Sequence, residues 1–382
     1  MSFNSLNIVS PILEALRAKG YAQPTPIQQQ AIPAILSGKD VLACAQTGTG
    51  KTASYCIPLL QRLSEKQSSR AIRGLVLAPT RELAIQVSEN LSLYGKNLSI
   101  TNTLVYGGVS QVNQVKDIRR GVDVIVATPG RLMDLIRQRV VNLSKLEVLV
   151  LDEADRMLDM GFIADIKRIM QMVPAQCQKV FLSATMPDAI QNLVSTMLRN
   201  PIRISITPQA GTVKIQQGIY YVARQDKRAL LKHVIKEREM KNVLVFARTK
   251  RGADKIASDL SKSGISAEAF HGNKSQGARQ RALSNFKRNA TRVLVATDIA
   301  ARGIDIADLP FVVNYEMPDT IEAYTHRIGR TGRAGSAGTA LSFCDRDEHD
   351  QLKGLHRSPG RLQVLTHPFI DWSPIKSRHY SN

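Results

Sequence analysis

Aromatic side chains are scarce: nine Phe, nine Tyr and a single Trp stand in 382 residues. That scarcity argues against a surface that reads nucleic-acid bases by stacking. No apolar run approaches the ~18 residues that a bilayer-spanning helix needs. The opening Met-Ser-Phe-Asn-Ser-Leu-Asn-Ile-Val-Ser-Pro has no basic segment followed by an apolar one, so no secretory leader is expected. Cys44, Cys56, Cys177 and Cys344 are far apart, with no CxxC pair and no His/Cys cluster at metal spacing. They are expected as reduced thiols in a cytoplasmic protein without a membrane anchor. Acidic residues are also in deficit, 32 Asp and Glu against 52 Lys and Arg, a net charge of +20. Such an excess concentrates polyanions, chiefly nucleic acid or an anionic membrane surface.

What the chain does have is repeated short β-branched and apolar runs, each followed by a stretch with helical spacing. In the first half these are Val41–Ala45, Gly74–Ala78, Asp123–Ala127, Val148–Leu151 and Lys179–Leu182. In the second they are Val243–Ala247, Arg292–Ala296, Phe311–Tyr315 and Ala340–Phe343. Continuous apolar runs alternating with helices imply parallel sheets with crossover helices. At roughly 150 residues per domain, the length also implies two α/β domains. The expected division is 1–206, a turn-rich linker 207–214 around Thr207-Pro-Gln-Ala-Gly-Thr212, and 215–382 with a short basic end. Ser10-Pro11 reads as an N-cap followed by proline at the first helical position. Polar clusters follow the carboxyl ends of the runs, the edge at which open parallel sheets bind ligands.

Three clusters carry chemistry. Ala45-Gln46-Thr47-Gly48-Thr49-Gly50-Lys51-Thr52 follows a strand and opens a helix. Its glycines let backbone N–H groups approach a phosphate; Lys51 is placed for the β- and γ-phosphates and Thr52 for magnesium. The generic phosphate-loop pattern has glycine where Ala45 stands. Val148–Leu151 runs into Asp152-Glu153-Ala154-Asp155. A strand-end Asp152 suits a magnesium ion held through water, and Glu153 suits a general base for the water attacking the γ-phosphate. His326-Arg-Ile-Gly-Arg330-Thr-Gly-Arg333 carries two arginines three apart. Both are expected to present planar donors to one phosphate, the arrangement of arginine fingers worth roughly 10³–10⁵ in rate.

These clusters, in this order, resemble the DEAD-box family of ATP-dependent RNA helicases, over about Phe3 to Asp350. The segments PTPIQQQAIP, ATDIAARGIDI and HRIGRTGRAG look most like its bacterial RhlE-type group. The resemblance implies an α/β fold of two tandem RecA-like domains, each a mainly parallel sheet flanked by helices, with a nucleotide and RNA cleft between them. It also implies that Gln28 reads adenine, with Tyr21 stacked on the base and Phe3 behind it. Gly303 and Asp305 become nucleotide contacts, Asp305 at the ribose, with Arg302 beside the closed cleft. Ser183 and Thr185 become the element that couples hydrolysis to unwinding. By the same resemblance, the RNA side of the first domain is Pro79, Thr80, Arg81, Gly108, Thr128, Pro129, Gly130 and Arg131. In the second it is Arg248, Thr249, Gly272, Gln276, Arg279, Thr297 and Asp298. Small hydroxyls, glycine backbone and arginines suit phosphate and 2′-hydroxyl contact without sequence readout.

The expected activity is RNA-stimulated ATP hydrolysis, with ATP and magnesium as cofactors. Two domains close on a single strand and locally open short duplexes or remodel RNA–protein complexes. The alternative is an ATP-gated RNA clamp without productive unwinding; a DNA translocase is disfavoured by Gln28 and Asp155. Expected partners are RNA and, beyond it, ribosomal precursors or RNA-decay proteins, and no heptad or long apolar face calls for more than a monomer. At the C-terminus, Asp347–Leu355 reads as a helix broken by Ser358-Pro359-Gly360, and the short end departs from relatives with long basic tails.

Overall fold

The protein is described from a computed structural model covering residues 2–46, 48–65, 71–206, 215–301, 304, 306, 309–332, 337–357 and 362–367, with backbone alone at 352–357. The chain forms two compact units, Met1–Gln209 and Ala210–Asn382. The expected linker, 207–214, lies outside the described residues.

After a 3-10 turn at Phe3–Leu6, the first unit contains α1 (Ser10–Ala18), α2 (Pro26–Leu36), β1 (Val41–Cys44), α3 (Lys51–Ser64), β2 (Gly74–Leu77), α4 (Arg81–Tyr94), β3 (Asn102–Val105) and α5 (Val112–Arg120). It continues with β4 (Val124–Ala127), α6 (Pro129–Arg137), β5 (Val148–Leu151), α7 (Ala154–Asp159), α8 (Ile163–Met172), β6 (Gln178–Ser183), α9 (Asp188–Met197) and β7 (Ile202–Ser205). The second unit begins with β8 (Ile215–Tyr221), α10 (Lys227–Glu237), β9 (Val243–Phe246), α11 (Lys250–Lys262), β10 (Ala267–Phe270), α12 (Gln276–Lys287) and β11 (Val293–Ala296). Then follow α13 (Asp298–Ala301), β12 (Phe311–Asn314), α14 (Ile321–Ile328), β13 (Gly338–Cys344), a 3-10 helix at Arg346–Arg357 and β14 (Leu362–Leu365).

The strand orders are β3-β4-β2-β5-β6-β1-β7 and β10-β11-β9-β12-β13-β8-β14. Every pairing is parallel. Numbered from the first strand of its own unit, each sheet therefore reads 3-4-2-5-6-1-7. Parallel neighbours need a crossover, and a helix fills each one. Strand residues alternate between two cores: Val148 and Val150 pack on one face of the first sheet, Leu149 and Leu151 on the other. Burying both faces is why these strands are continuously apolar.

Strands β3, β10 and β14 lie at sheet edges and β8 lies beside one. Their polar interruptions, such as Glu268 in β10 and Gln216-Gln217-Gly218 in β8, hide them from a search for apolar runs. The N-cap of α1 is Val9, not Ser10. Gln61 accepts the Val9 N–H at 3.1 Å and holds that residue extended, so Ser10 is already helical. The expected C-terminal α-helix is instead the 3-10 helix Arg346–Arg357, and Ser358, Pro359 and Gly360 lie outside the described residues.

Charge at the amino edge of the first sheet is structural. Arg73, just before β2, pairs with Asp123, just before β4, at 2.6 Å, both almost fully buried. Arg73 also donates to the Leu63 carbonyl at 2.8 Å, and Asp123 accepts from Thr101 N–H and hydroxyl at 3.0 Å. Among the described residues, no helix is long and apolar enough to cross a membrane.

Candidate active site and nucleic-acid interface

Sheet order brings distant segments of the first unit together. Strands β5, β6 and β1 are neighbours, so their carboxyl ends place Asp152–Asp155, Ser183–Thr185 and Ala45–Thr52 side by side. Ala45 N–H donates to the Ser183 carbonyl at 3.1 Å, joining two of them. In the phosphate loop, Gly48 and Gly50 have φ of 86° and 92°, a region costly to other residues. Ala45 does not share that conformation and is buried, which explains how a methyl group fits the position. The Thr49 hydroxyl donates to the Gln46 carbonyl at 2.7 Å, and Lys51 Nζ donates to the Ala45 carbonyl at 2.6 Å. Thr52 is partly buried in the first turn of α3; Thr47 lies outside the described residues.

Asp152 is 2 % exposed, and its Oδ2 accepts from the Tyr55 hydroxyl at 2.7 Å. Its Oδ1 is buried with no hydrogen-bond partner in the protein. Burial first, and the Glu153 carboxylate second, push the Asp152 carboxyl up to about 6, against the pull of Lys51. A buried carboxylate oxygen without a donor, at the same sheet edge as the turn that carries Thr52, fits a hard divalent cation that keeps part of its water shell. The residues present therefore fit magnesium.

Glu153 begins α7 in the left-handed conformation, φ 53° and ψ 52°. Such strain in a non-glycine residue costs about 1–3 kcal/mol and concentrates at functional positions. Its Oε2 accepts from Arg156 Nη1 at 2.6 Å, a buried ion pair one helical turn apart. Asp155 faces the neighbouring strand. Its Oδ2 accepts from Ala184 N–H (3.2 Å), Thr185 N–H (2.9 Å) and the Thr185 hydroxyl (2.9 Å). The Ser183 hydroxyl donates to the Thr185 carbonyl at 2.7 Å, closing the turn.

Gln28, 2 % exposed, links α2 to the phosphate loop: its Oε1 accepts from Thr25 N–H at 3.0 Å and its Nε2 donates to the Gly50 carbonyl at 3.2 Å. The amide keeps one N–H and one lone pair for a further partner. Tyr21 sits between two rings, edge-on to Phe3 with centroids at 6.4 Å and to Tyr94 at 6.0 Å, its hydroxyl 3.1 Å from that of Tyr94.

The other half of the same edge, β3, β4 and β2, carries Gly107-Gly108, Thr128–Arg131 and Pro79–Arg81. Thr80 caps α4 by accepting from Leu83 N–H at 3.3 Å, and Thr128 and Pro129 open α6, with Gly130 in its first turn. Helix N-termini present N–H groups and positive partial charge to anions. The Arg81 guanidinium covers Gly108, where φ is 77° and an added Cβ would lie 2.3 Å from Nη1. The positive φ favours glycine there, and a larger residue would also displace the Arg81 guanidinium. Arg131 donates to the Val109 carbonyl at 3.3 Å.

In the second unit the candidates follow β9, β10 and β11, the same three positions in an identical strand order. Thr249 caps α11 by accepting from Gly252 N–H at 3.0 Å. Gly272 follows β10, and Gln276 begins α12. Arg279 lies 5.1 Å over the Phe270 ring and donates to Gln276 Oε1 at 3.4 Å. The Arg248 guanidinium donates to the Met317 carbonyl (3.1 Å) and Glu348 (3.3 Å). Thr297 N–H donates to the Phe270 carbonyl. Asp298 is engaged differently from a phosphate contact: both its oxygens accept from the buried Arg327 at 2.7 Å. A carboxylate repels phosphate, so backbone is what this position offers a nucleic acid. Arg330 is 4 % exposed and donates to the Ile304 carbonyl at 2.8 Å, so its guanidinium is turned inward within its own unit. Arg302, Gly303, Asp305 and Arg333 lie outside the described residues.

Tyr55 and Arg156 were not singled out from the sequence, although a signal existed. Tyr55 follows Thr52 by three residues and Arg156 follows Glu153 by three, the spacing that shares a helix face.

Comparison with known proteins finds matches in both units. The DEAD/DEAH box helicase family matches residues 25–193, and the helicase conserved C-terminal domain matches residues 226–335. The ATP-dependent RNA helicase DBP2 of Scheffersomyces stipitis is 43 % identical over 351 residues, 90 % of this chain and 66 % of that protein. The DEAD-box ATP-dependent RNA helicase RhpA of Helicobacter pylori is 40 % identical over 376 residues, 98 % of this chain and 76 % of that protein. Among solved structures, S. cerevisiae Dbp5 bound to RNA and ADP BeF3 aligns with a TM-score of 0.84 at 30 % identity, covering 95 % of each chain. The chain spans 62–66 % of the length of three fungal DBP2 proteins.

Proposed function

We infer the function of this chain from its family: it belongs to the DEAD-box RNA helicases. The reading is an ATP-dependent RNA helicase of that family's bacterial RhlE-type group. It uses ATP binding and RNA-stimulated hydrolysis to close two domains on RNA, opening short duplexes or remodelling RNA–protein complexes. One observation carries it. A single sheet edge holds the nucleotide candidates on β5, β6 and β1 and the RNA candidates on β3, β4 and β2, and Asp155 bridges two of the nucleotide segments. The second unit offers its own RNA candidates from the equivalent three strands.

Each group then has a task. The N–H groups of the loop around Gly48 and Gly50 bind phosphate, and Lys51 exchanges its bond to the Ala45 carbonyl for one to phosphate oxygens. Gln28 and Tyr21, backed by Phe3, hold the adenine. Thr52 and Asp152 would hold magnesium, which when bound offsets the charge of the β- and γ-phosphates. Glu153 takes the proton from the attacking water, and Arg330, on leaving the Ile304 carbonyl, joins Arg333 in stabilising the developing charge. Asp155, through Thr185, ties the state of that site to the strand end beside it. The RNA side contacts phosphate and sugar, so binding is sequence-nonspecific. Binding energy of ATP and RNA drives closure, and hydrolysis resets it. The protein is read as a cytoplasmic monomer acting on single strands and short duplexes, in ribosomal precursors or with RNA-decay proteins.

The test is phosphate release with and without single-stranded RNA, together with strand displacement from a short RNA duplex. Stimulation and ATP-dependent displacement are expected. Equal turnover in both arms overturns the helicase reading.

A further inference from the structure

We propose that Tyr55 is a positioning residue for the magnesium-binding carboxylate: its phenol holds Asp152 Oδ2, so that Oδ1 is the oxygen left for the cation's water shell. This rests on the nucleotide-site reading above and goes beyond it, because the metal site then extends into the core of α3.

Packing does not account for the hydroxyl. Tyr55 is fully buried, and its ring lies in the apolar cluster between α3 and the sheet, where phenylalanine would fill the same space. A buried phenolic O–H is costly unless it finds an acceptor. The acceptor here is Asp152 Oδ2, at 2.7 Å. Tyr55 stands one turn beyond Lys51 and Thr52 on α3, so a single helix face supplies the phosphate lysine, the metal hydroxyl and the donor to the metal carboxylate.

The two oxygens of Asp152 are thus unlike. Oδ2 accepts from a fixed donor, and Oδ1 is buried with no partner in the protein. Tying one oxygen removes rotation of the carboxylate that binding would otherwise have to arrest.

The test is Tyr55→Phe in the full chain, read by equilibrium binding of a fluorescent ADP analogue over a magnesium titration, with a melting curve of the nucleotide-free protein. The expected result is an unchanged affinity without magnesium and a magnesium midpoint raised about five- to tenfold. Asp152→Asn separates positioning from packing: in that background Tyr55→Phe is expected to leave the magnesium midpoint where Asp152→Asn alone puts it. A parental midpoint in Tyr55→Phe overturns the proposal. So does an equal loss of affinity with and without magnesium, which would mark a packing defect. Parental protein whose nucleotide binding ignores magnesium overturns the reading of the site itself, and the role of Tyr55 with it.

Discussion

Glu153→Gln isolates the general base from everything else at the nucleotide site. The substitution keeps the side chain's length and an oxygen that accepts from Arg156, now at 2.6 Å from Glu153 Oε2. Removing one partner of a buried ion pair outright costs about 3–5 kcal/mol, but a retained acceptor recovers part of that, leaving roughly 1–2 kcal/mol. The left-handed backbone at 153 is unchanged, since glutamine meets the same steric limits as glutamate. Lys51, Thr52 and the glycines of the loop are untouched. Asp152 gains, because the Glu153 charge is the second largest cause raising its pKa and disappears. Nucleotide affinity with magnesium should therefore hold or tighten slightly. The rate should fall by about 10²–10⁴, the usual contribution of a general base, or roughly 3–5 kcal/mol in the barrier. Phosphate release at saturating ATP and RNA, beside equilibrium nucleotide binding on the same preparation, measures both quantities. Hydrolysis within tenfold of the parent would mean that another group takes the proton.

Gly50→Ala places a Cβ 2.5 Å from Gln28 Nε2 at a residue with φ of +92°. The expected outcome in a nucleotide titration is at least tenfold weaker binding, from loop strain and the lost Gln28–Gly50 bond; unchanged affinity would separate Gln28 from the loop. Arg73→Met strands Asp123 at the amino edge of the sheet, the opposite end of the strands from the nucleotide residues. It should cost about 3–5 kcal/mol, visible as a fall in melting temperature on the order of 10 °C. Nucleotide affinity of the protein still folded should be unaltered.

Much of the fold was legible because both sheets bury two faces. Val148–Leu151 and Val243–Phe246 are unbroken apolar runs for that reason. Legibility failed at the edges: β10, with Glu268 in it, meets solvent and carries no such signature. The α1 boundary was misread by one residue because the deciding bond comes from Gln61, 52 residues away. Among site residues, phosphate-loop glycines and the Asp152–Asp155 carboxylates declare themselves locally, by backbone freedom and by charge after an apolar run. Arg330 announces a basic loop but not its inward turn toward Ile304. Asp298 likewise gives no hint of its pairing with Arg327, 29 residues on.

The sequence by itself determined that two α/β units exist, that a phosphate loop and an acidic strand end lie in the first, and that arginines lie in the second. Those are short-range properties: periodicity, turn chemistry and charge within a few residues. Tertiary structure alone decided that β5, β6 and β1 are neighbours, that equivalent strands of both sheets carry the RNA candidates, and that Tyr55 grips Asp152. Strand order and buried pairing depend on contacts between residues about 100 apart, such as Tyr55 and Asp152, and no local pattern encodes which strand will lie beside which.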